Sequence, residues 1–153
     1  MLLKTWGRTH ATWAPFLLRL GLGFMILPHG CQKLLGWFGG GGFSATLDVF
    51  SEKLGIAWPF AVLAIAAEFL GGLGLLLGFM TRLSALAVGG YMAAAAFRVH
   101  WANGFFMNWQ GTKHGEGIEF HLLAVAMALA LLATGGGHLS VDHALFGSGH
   151  RRR

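Results

Sequence analysis

Charge is scarce in this sequence. Only 11% of its 153 residues are Asp, Glu, Lys or Arg, whereas soluble domains carry about 25%. With 55% hydrophobic residues, that scarcity argues against an ordinary water-soluble domain. Cysteine is nearly absent too: Cys31 stands alone, so no intramolecular disulfide can form and the redox compartment is not encoded. No low-complexity linker breaks the chain, which reads as a single unit over residues 1–153. The formal net charge of +5 comes from basic residues that form no patch with interleaved aromatics, so no nucleic-acid partner is expected. No glycine-rich tract follows a strand, so the flavin and nicotinamide fingerprints are missing. No H-x-x-x-H pair occurs among the eight histidines, and neither a metal nor a haem is expected.

What the sequence does have is four long tracts almost free of charge, over about 15–36, 58–79, 82–101 and 116–135. Each approaches the ~20 residues that cross a ~30 Å hydrocarbon core. The expected fold is therefore all-α: an integral membrane, antiparallel four-helix bundle in the plasma (inner) membrane, crossed several times. The first tract is too long for a signal peptide, contains Arg19 and lacks a small-x-small cleavage site, so it is expected to be a permanent span. Lys4, Arg8, Arg82 and the run Arg151, Arg152 and Arg153 fall on one side of a four-span chain. Basic residues collect on the cytoplasmic side, which places both termini there. Lys33, Lys53, Arg98 and Lys113 lie on the other side and count against this.

Between the first two tracts, Phe43, Leu47, Phe50 and Leu54 recur at three- and four-residue spacing. This predicts a short amphipathic helix on the outer membrane surface, with Gly55 as its stop. Pro15 and Pro59 suit first-turn positions of the first two spans. In the second span Ala61, Ala64, Glu68, Gly71, Gly72 and Gly78 share one face, a small-residue stripe on which a neighbouring helix can pack closely. The pair Thr81 and Arg82 is read as the tight turn into the third span.

At 1.5 Å per residue, Glu68 falls about 15 Å inside the outer end of its span, near the midplane. His29 and Lys33 lie one turn apart near the outer end of the first span, Arg98 and His100 in the last outer turn of the third. Glu116 and Glu119 open the fourth span, with His121 slightly deeper. All four spans thus contribute to one polar layer in the outer half, which suggests a cavity open to the outside. Only Arg19 interrupts the inner half, where it can snorkel outward. Glu68 is the strongest functional candidate, since a charge at the bilayer centre costs at least about 3 kcal/mol. Protonation or a pair with His29 would relieve it. Glu119 and His121 are two residues apart, so only one can face the centre, and Glu119 is the expected one. Lys33, Arg98 and His100 can alternatively snorkel or cap helix ends, and Glu116 can favour a helix N-terminus. Cys31 reads as a packing group.

The stretches LRLGLGFMILPHGCQKLLGWFGGGG, AEFLGGLGLLLGFMTRLSAL, GEGIEFHLLA and GGGHLSVD, in this order and spacing, resemble the DoxX family of small four-span membrane proteins over about residues 14–143. The resemblance implies a four-helix membrane fold associated with redox chemistry. Relatives include the membrane subunit of thiosulfate:quinone oxidoreductase. Carried onto this chain, the HGxxK-like element is His29, Gly30 and Lys33, and the family's glutamates are Glu68 and Glu119.

Three functions follow. The first is a redox-complex subunit whose outward pocket binds quinone or a small sulfur or oxidised substrate. Lys33, Arg98 and His100 would hold the ligand; Glu68, His29 and Glu119 would act catalytically. Electrons would come from a partner redox protein or a bound quinone. The second is a non-enzymatic anchor or assembly subunit, whose glycine faces bind other membrane proteins or a second copy. The third is a small transporter or proton-conducting module built on Glu68. Whether the chain is an enzyme is left open at this level.

Overall fold

The computed structural model describes residues 12–147, entirely as helices, turns and loops; no strand occurs among the described residues. Lys4, Arg8, His150 and the arginines at 151–153, several of which carry the topology expectation, lie outside the described residues. Helix α1 is Trp13–Leu35, α2 is Gly42–Asp48, α3 is Trp58–Leu77, α4 is Thr81–Ala95, α5 is Glu119–Thr134 and α6 is Val141–Phe146. Two of them, α1 with 23 residues and α3 with 20, are long and apolar enough to cross a membrane. Helix α4 continues through a π turn, Ala96–His100, and a 3-10 turn, Trp101–Asn103. The apolar α5 has 16 residues, so the fourth tract yields a shorter helix than expected. It begins at Glu119, which leaves Glu116 in the preceding loop.

Helix ends follow the backbone chemistry of glycine and proline. Helix α1 stops at Gly36, in the left-handed region at φ 74°, and α3 stops at Gly78, at φ 63°. A Cβ is disfavoured in both places. Pro59 sits in the first turn of α3, where its missing N–H leaves no bond unmade. The turn between α3 and α4 spans residues 78–80. Thr81 and Arg82 therefore belong to the first turn of α4 and not to the loop the sequence suggests. The amphipathic segment is helical as expected, with α2 widening into a π turn over Val49–Lys53, and Gly55 follows at φ 62°.

Helix α1 packs on α3 and α5, and α4 packs on the same two. Their shared core contains Leu22 and Ile26 of α1, Leu75 of α3, Val88 and Met92 of α4, and Ala124, Ala128 and Leu131 of α5. The small-residue stripe is used inside this arrangement. A Cβ on Gly72 would lie 2.9 Å from the backbone of Leu27, and one on Gly71 would lie 2.8 Å from the Val88 side chain. Gly30 is tighter still, with its Cβ position 2.6 Å from Phe69 Cα. The glycines let α1 lie directly against α3, and they leave no free glycine face there for a partner helix.

The end of the molecule carrying Arg19 holds a polar network that replaces the expected snorkelling. Arg19 is 1% exposed. Its Nε donates to the carbonyl of Gly136 at 2.9 Å, Nη1 to those of Leu75 and Leu76, and Nη2 to those of His138 and Leu139. The last turn of any helix leaves carbonyls without intrahelical donors, and lipid cannot supply them. One planar guanidinium, with five N–H groups in a fixed fork, serves two of these at the end of α3 and three in the segment after α5. Arg82 similarly donates to the carbonyls of Leu132 and Ala133 at the end of α5. Asp142 does the converse for α4, accepting from the N–H groups of Met80 at 2.8 Å and Thr81 at 2.7 Å. Snorkelling fails because these acceptors lie within reach inside the protein.

Candidate functional site

The site begins with the glycine contact. Because Gly30 lies against the backbone of Glu68 and Phe69, Lys33, three residues further along the same face of α1, is carried beside Glu68. Lys33 Nζ donates to Glu68 Oε1 at 2.8 Å and lies 2.6 Å from Oε2. The carboxylate is almost sealed, its side chain 3% exposed, whereas that of Lys33 is 24% exposed. Tyr91, on α4, lies close enough to the Glu68 carboxylate for the two to interact electrostatically. Three helices thus meet at one carboxylate.

Lys33 and Tyr91 also form part of the wall of a cavity of about 990 Å³, which runs between α3 and α4 and under the amphipathic segment. The walls exist because the residues there are small: Ala64 and Ala67 of α3 face Ala87, Gly90 and Ala94 of α4. The position of a Cβ on Gly90 meets open space. Phe50, Leu54 and Ile56 close the cavity from the α2 side. At one end stand Arg98, Val99 and His100, presented together by the π turn, a widened helical turn that often occurs at functional sites. The result is an apolar chamber with polar groups gathered toward one end.

The sequence-predicted residues divide around this chamber. Lys33, Arg98 and His100 line it, and Glu68 stands behind Lys33. His29 does not join them. Adjacent helical residues point 100° apart, so with Gly30 buried in the α1–α3 contact the His29 side chain is turned out and exposed. The partner of Glu68 is Lys33, not His29. Glu119 is also elsewhere: its Oε1 accepts from the Met107 N–H at 2.9 Å and from Trp109 Nε1 at 3.4 Å. It fastens the loop before α5 and does not face the centre. His121 takes the inward position instead, 7% exposed, its ring 4.3 Å from that of His100. His100 Nδ1 lies 3.0 Å from the Glu116 carbonyl; a carbonyl only accepts, so this nitrogen carries the hydrogen. His121 Nδ1 is buried without a hydrogen-bond partner.

Sequence reasoning missed Tyr91 and preferred Glu119 to His121. Tyr91 is the only tyrosine in the chain and stands in an otherwise small-residue helix, a signal that was there to use. The misplacement of Glu119 follows from the late start of α5, whose first N–H is taken by the carbonyl of Phe105 at 2.9 Å. Cys31 is buried and free. Among the described residues no three His, Cys, Asp or Glu side chains come together in a way that could hold a metal ion.

A profile of the DoxX family matches residues 14–101. This chain belongs to the DoxX family. Among its relatives, the inner membrane protein YqjF of Escherichia coli (strain K12) is 31% identical over 83% of this chain and 88% of its own length. No solved structure matches. The DoxX profile thus spans α1, the amphipathic segment, α3 and α4 with its π turn, which are the elements that carry the cavity. With its apolar helices and this relative, the chain is an inner-membrane protein.

Proposed function

We propose that this DoxX protein is a four-span subunit of a membrane redox complex, with both termini cytoplasmic, whose outer-half cavity binds a quinone. The observation that carries the reading is the division of the cavity wall into an apolar body and a donor-bearing end. A quinone is a flat apolar ring with two carbonyl acceptors, and it reaches its site through the bilayer. Small side chains on α3 and α4 give the ring a slot. Lys33 and Arg98 supply hydrogen-bond donors for the carbonyls. Ligand sites of this kind span about 300–1,000 Å³, mostly apolar, with a few placed polar groups. Glu68 and Lys33 form a pair without net charge, which holds the Lys33 ammonium as a donor at the cavity wall.

The topology supports the same reading. Residues 81–100, counting the π turn, form a helical stretch of about 30 Å at 1.5 Å per residue, enough to cross the core. Arg82 then falls at one end, and Lys33 and Arg98 at the other. The assembly alternative loses its strongest feature, because Gly71 and Gly72 already face Val88 and Leu27 of this chain. The conduction alternative is weakened in turn, since Lys33 neutralises Glu68.

Gly90→Leu tests the proposal directly. Its side chain would enter open space and fill the slot, so folding should be preserved while the ligand is excluded. Binding of a short-chain quinone to the purified protein in nanodiscs should weaken by about tenfold or more, the equivalent of ~1.4 kcal/mol, with an unchanged unfolding midpoint. Undiminished binding by a folded Gly90→Leu protein would remove the cavity from the account.

A further inference from the structure

The charges around the cavity do not balance, and the excess is positive. Of the charged side chains in its wall, Lys33 is compensated by Glu68, while Arg98 has no hydrogen bond or ion pair among the described residues. No carboxylate lines the cavity. The two acidic residues closest in sequence to the start of α5 are engaged in the loop: Glu116 Oε2 accepts from the Asn108 N–H, and Glu119 Oε1 from Met107. Asp48 and Glu52 are exposed on the amphipathic segment, outside the lining. Lys113, another cation of this end, donates to the carbonyl of Phe106, and Lys53 is exposed on the amphipathic segment with Asp48 and Glu52.

A neutral quinone accepts a hydrogen bond from the guanidinium but makes no use of its unmatched charge. A quinone that carries negative charge on a ring oxygen does, because a hydrogen bond to a charged group is stronger and shorter than one between neutral groups. Resting on the quinone reading above, we infer that the site selects the anionic form of its ligand, an acidic hydroxyquinone or a deprotonated quinol, with Arg98 as the charge-selecting residue. Arg98 is suited to this because its guanidinium stays charged at any physiological pH and presents a planar fork to an oxyanion.

The test uses the full-length protein in phosphatidylcholine nanodiscs and three probes. The first is a 2-hydroxy-3-alkyl-1,4-naphthoquinone, whose ring hydroxyl is ionised at neutral pH. The second is its O-methyl ether, nearly the same shape but neutral, and the third is a long-chain fatty acid. Dissociation constants are read from quenching of tryptophan fluorescence or by calorimetry. The hydroxyquinone anion should bind about ten- to a hundredfold more tightly than its ether, as expected for one charged hydrogen-bonding partner. Arg98→Gln should bring the two to near parity by weakening the anion alone, and Arg98→Lys should restore part of the preference. Arg98 is exposed and unpartnered, so these variants should fold as the parent does.

Equal binding of anion and ether by the parent, or a preference that survives Arg98→Gln, would overturn the inference and leave Arg98 as a headgroup anchor, with the quinone site intact. Fatty acid bound as tightly as the hydroxyquinone would also overturn it, by making the ligand a carboxylate amphiphile. If neither naphthoquinone binds, the quinone reading itself fails.

Discussion

Arg19→Met is expected to cost the protein about 3–5 kcal/mol of stability, among the largest effects any single substitution has. The guanidinium serves five backbone carbonyls from two separate stretches of chain. Each stranded acceptor costs about 1–3 kcal/mol when water cannot replace the donor. Methionine avoids the desolvation cost of the cation, which keeps the total below the simple sum. The apparent unfolding midpoint in detergent should fall by about 10 °C or more. Arg19→Lys separates charge from geometry. An ammonium keeps the charge but offers three donors from a single point, so it should recover only a minor part of the loss. A lysine variant as stable as the parent would show that a charge, and not the fork, is what this end of the molecule requires.

The second large effect concerns the Lys33–Glu68 pair. Removing one partner of a buried pair leaves an uncompensated charge and typically costs about 3–5 kcal/mol, whereas replacing both with apolar groups of similar volume is often neutral. Lys33→Met alone should therefore destabilise strongly, because Glu68 remains sealed between α1, α3 and α4. Lys33→Met combined with Glu68→Met should regain most of the loss. The double-mutant cycle isolates the coupling between the two side chains, and unfolding midpoints of the four proteins provide it. A silent Lys33→Met would mean that the pair does not hold α1 against α3. Quinone binding should fall in both the single and the double variant, since Lys33 is part of the cavity wall. Stability and binding thus separate.

Much of this arrangement could be read before any coordinates. The near absence of charge marked the apolar helices, Gly55, Pro15 and Pro59 marked helix boundaries, and the burial of Glu68 followed from its place in a small-residue stripe. Position along each helix was legible because a helix rises by a fixed amount per residue. Direction was less so. Whether His29 or Lys33 meets Glu68 depends on which side of α1 touches α3, and that is decided by the backbone contact at Gly30. Glu119 and His121 exchanged roles because the loop captured the carboxylate and delayed the start of α5. Arg19 looked like a snorkelling side chain because its acceptors come from residues 75–76 and 136–139, far away in sequence. Pairings between distant backbone carbonyls and one side chain leave no periodic trace.

The central claim is that the chamber between α3 and α4 holds the quinone, and photo-crosslinking tests it most directly. An azidoquinone, illuminated with the full-length protein in nanodiscs, should label residues of the slot, on α3 around Leu63 to Ala67 and on α4 around Ala87 to Ala94. The labelling should be displaced by excess unmodified quinone and lost in Gly90→Leu. Adducts confined to the exposed faces of α1 or α5, or labelling that excess quinone does not displace, would contradict the account.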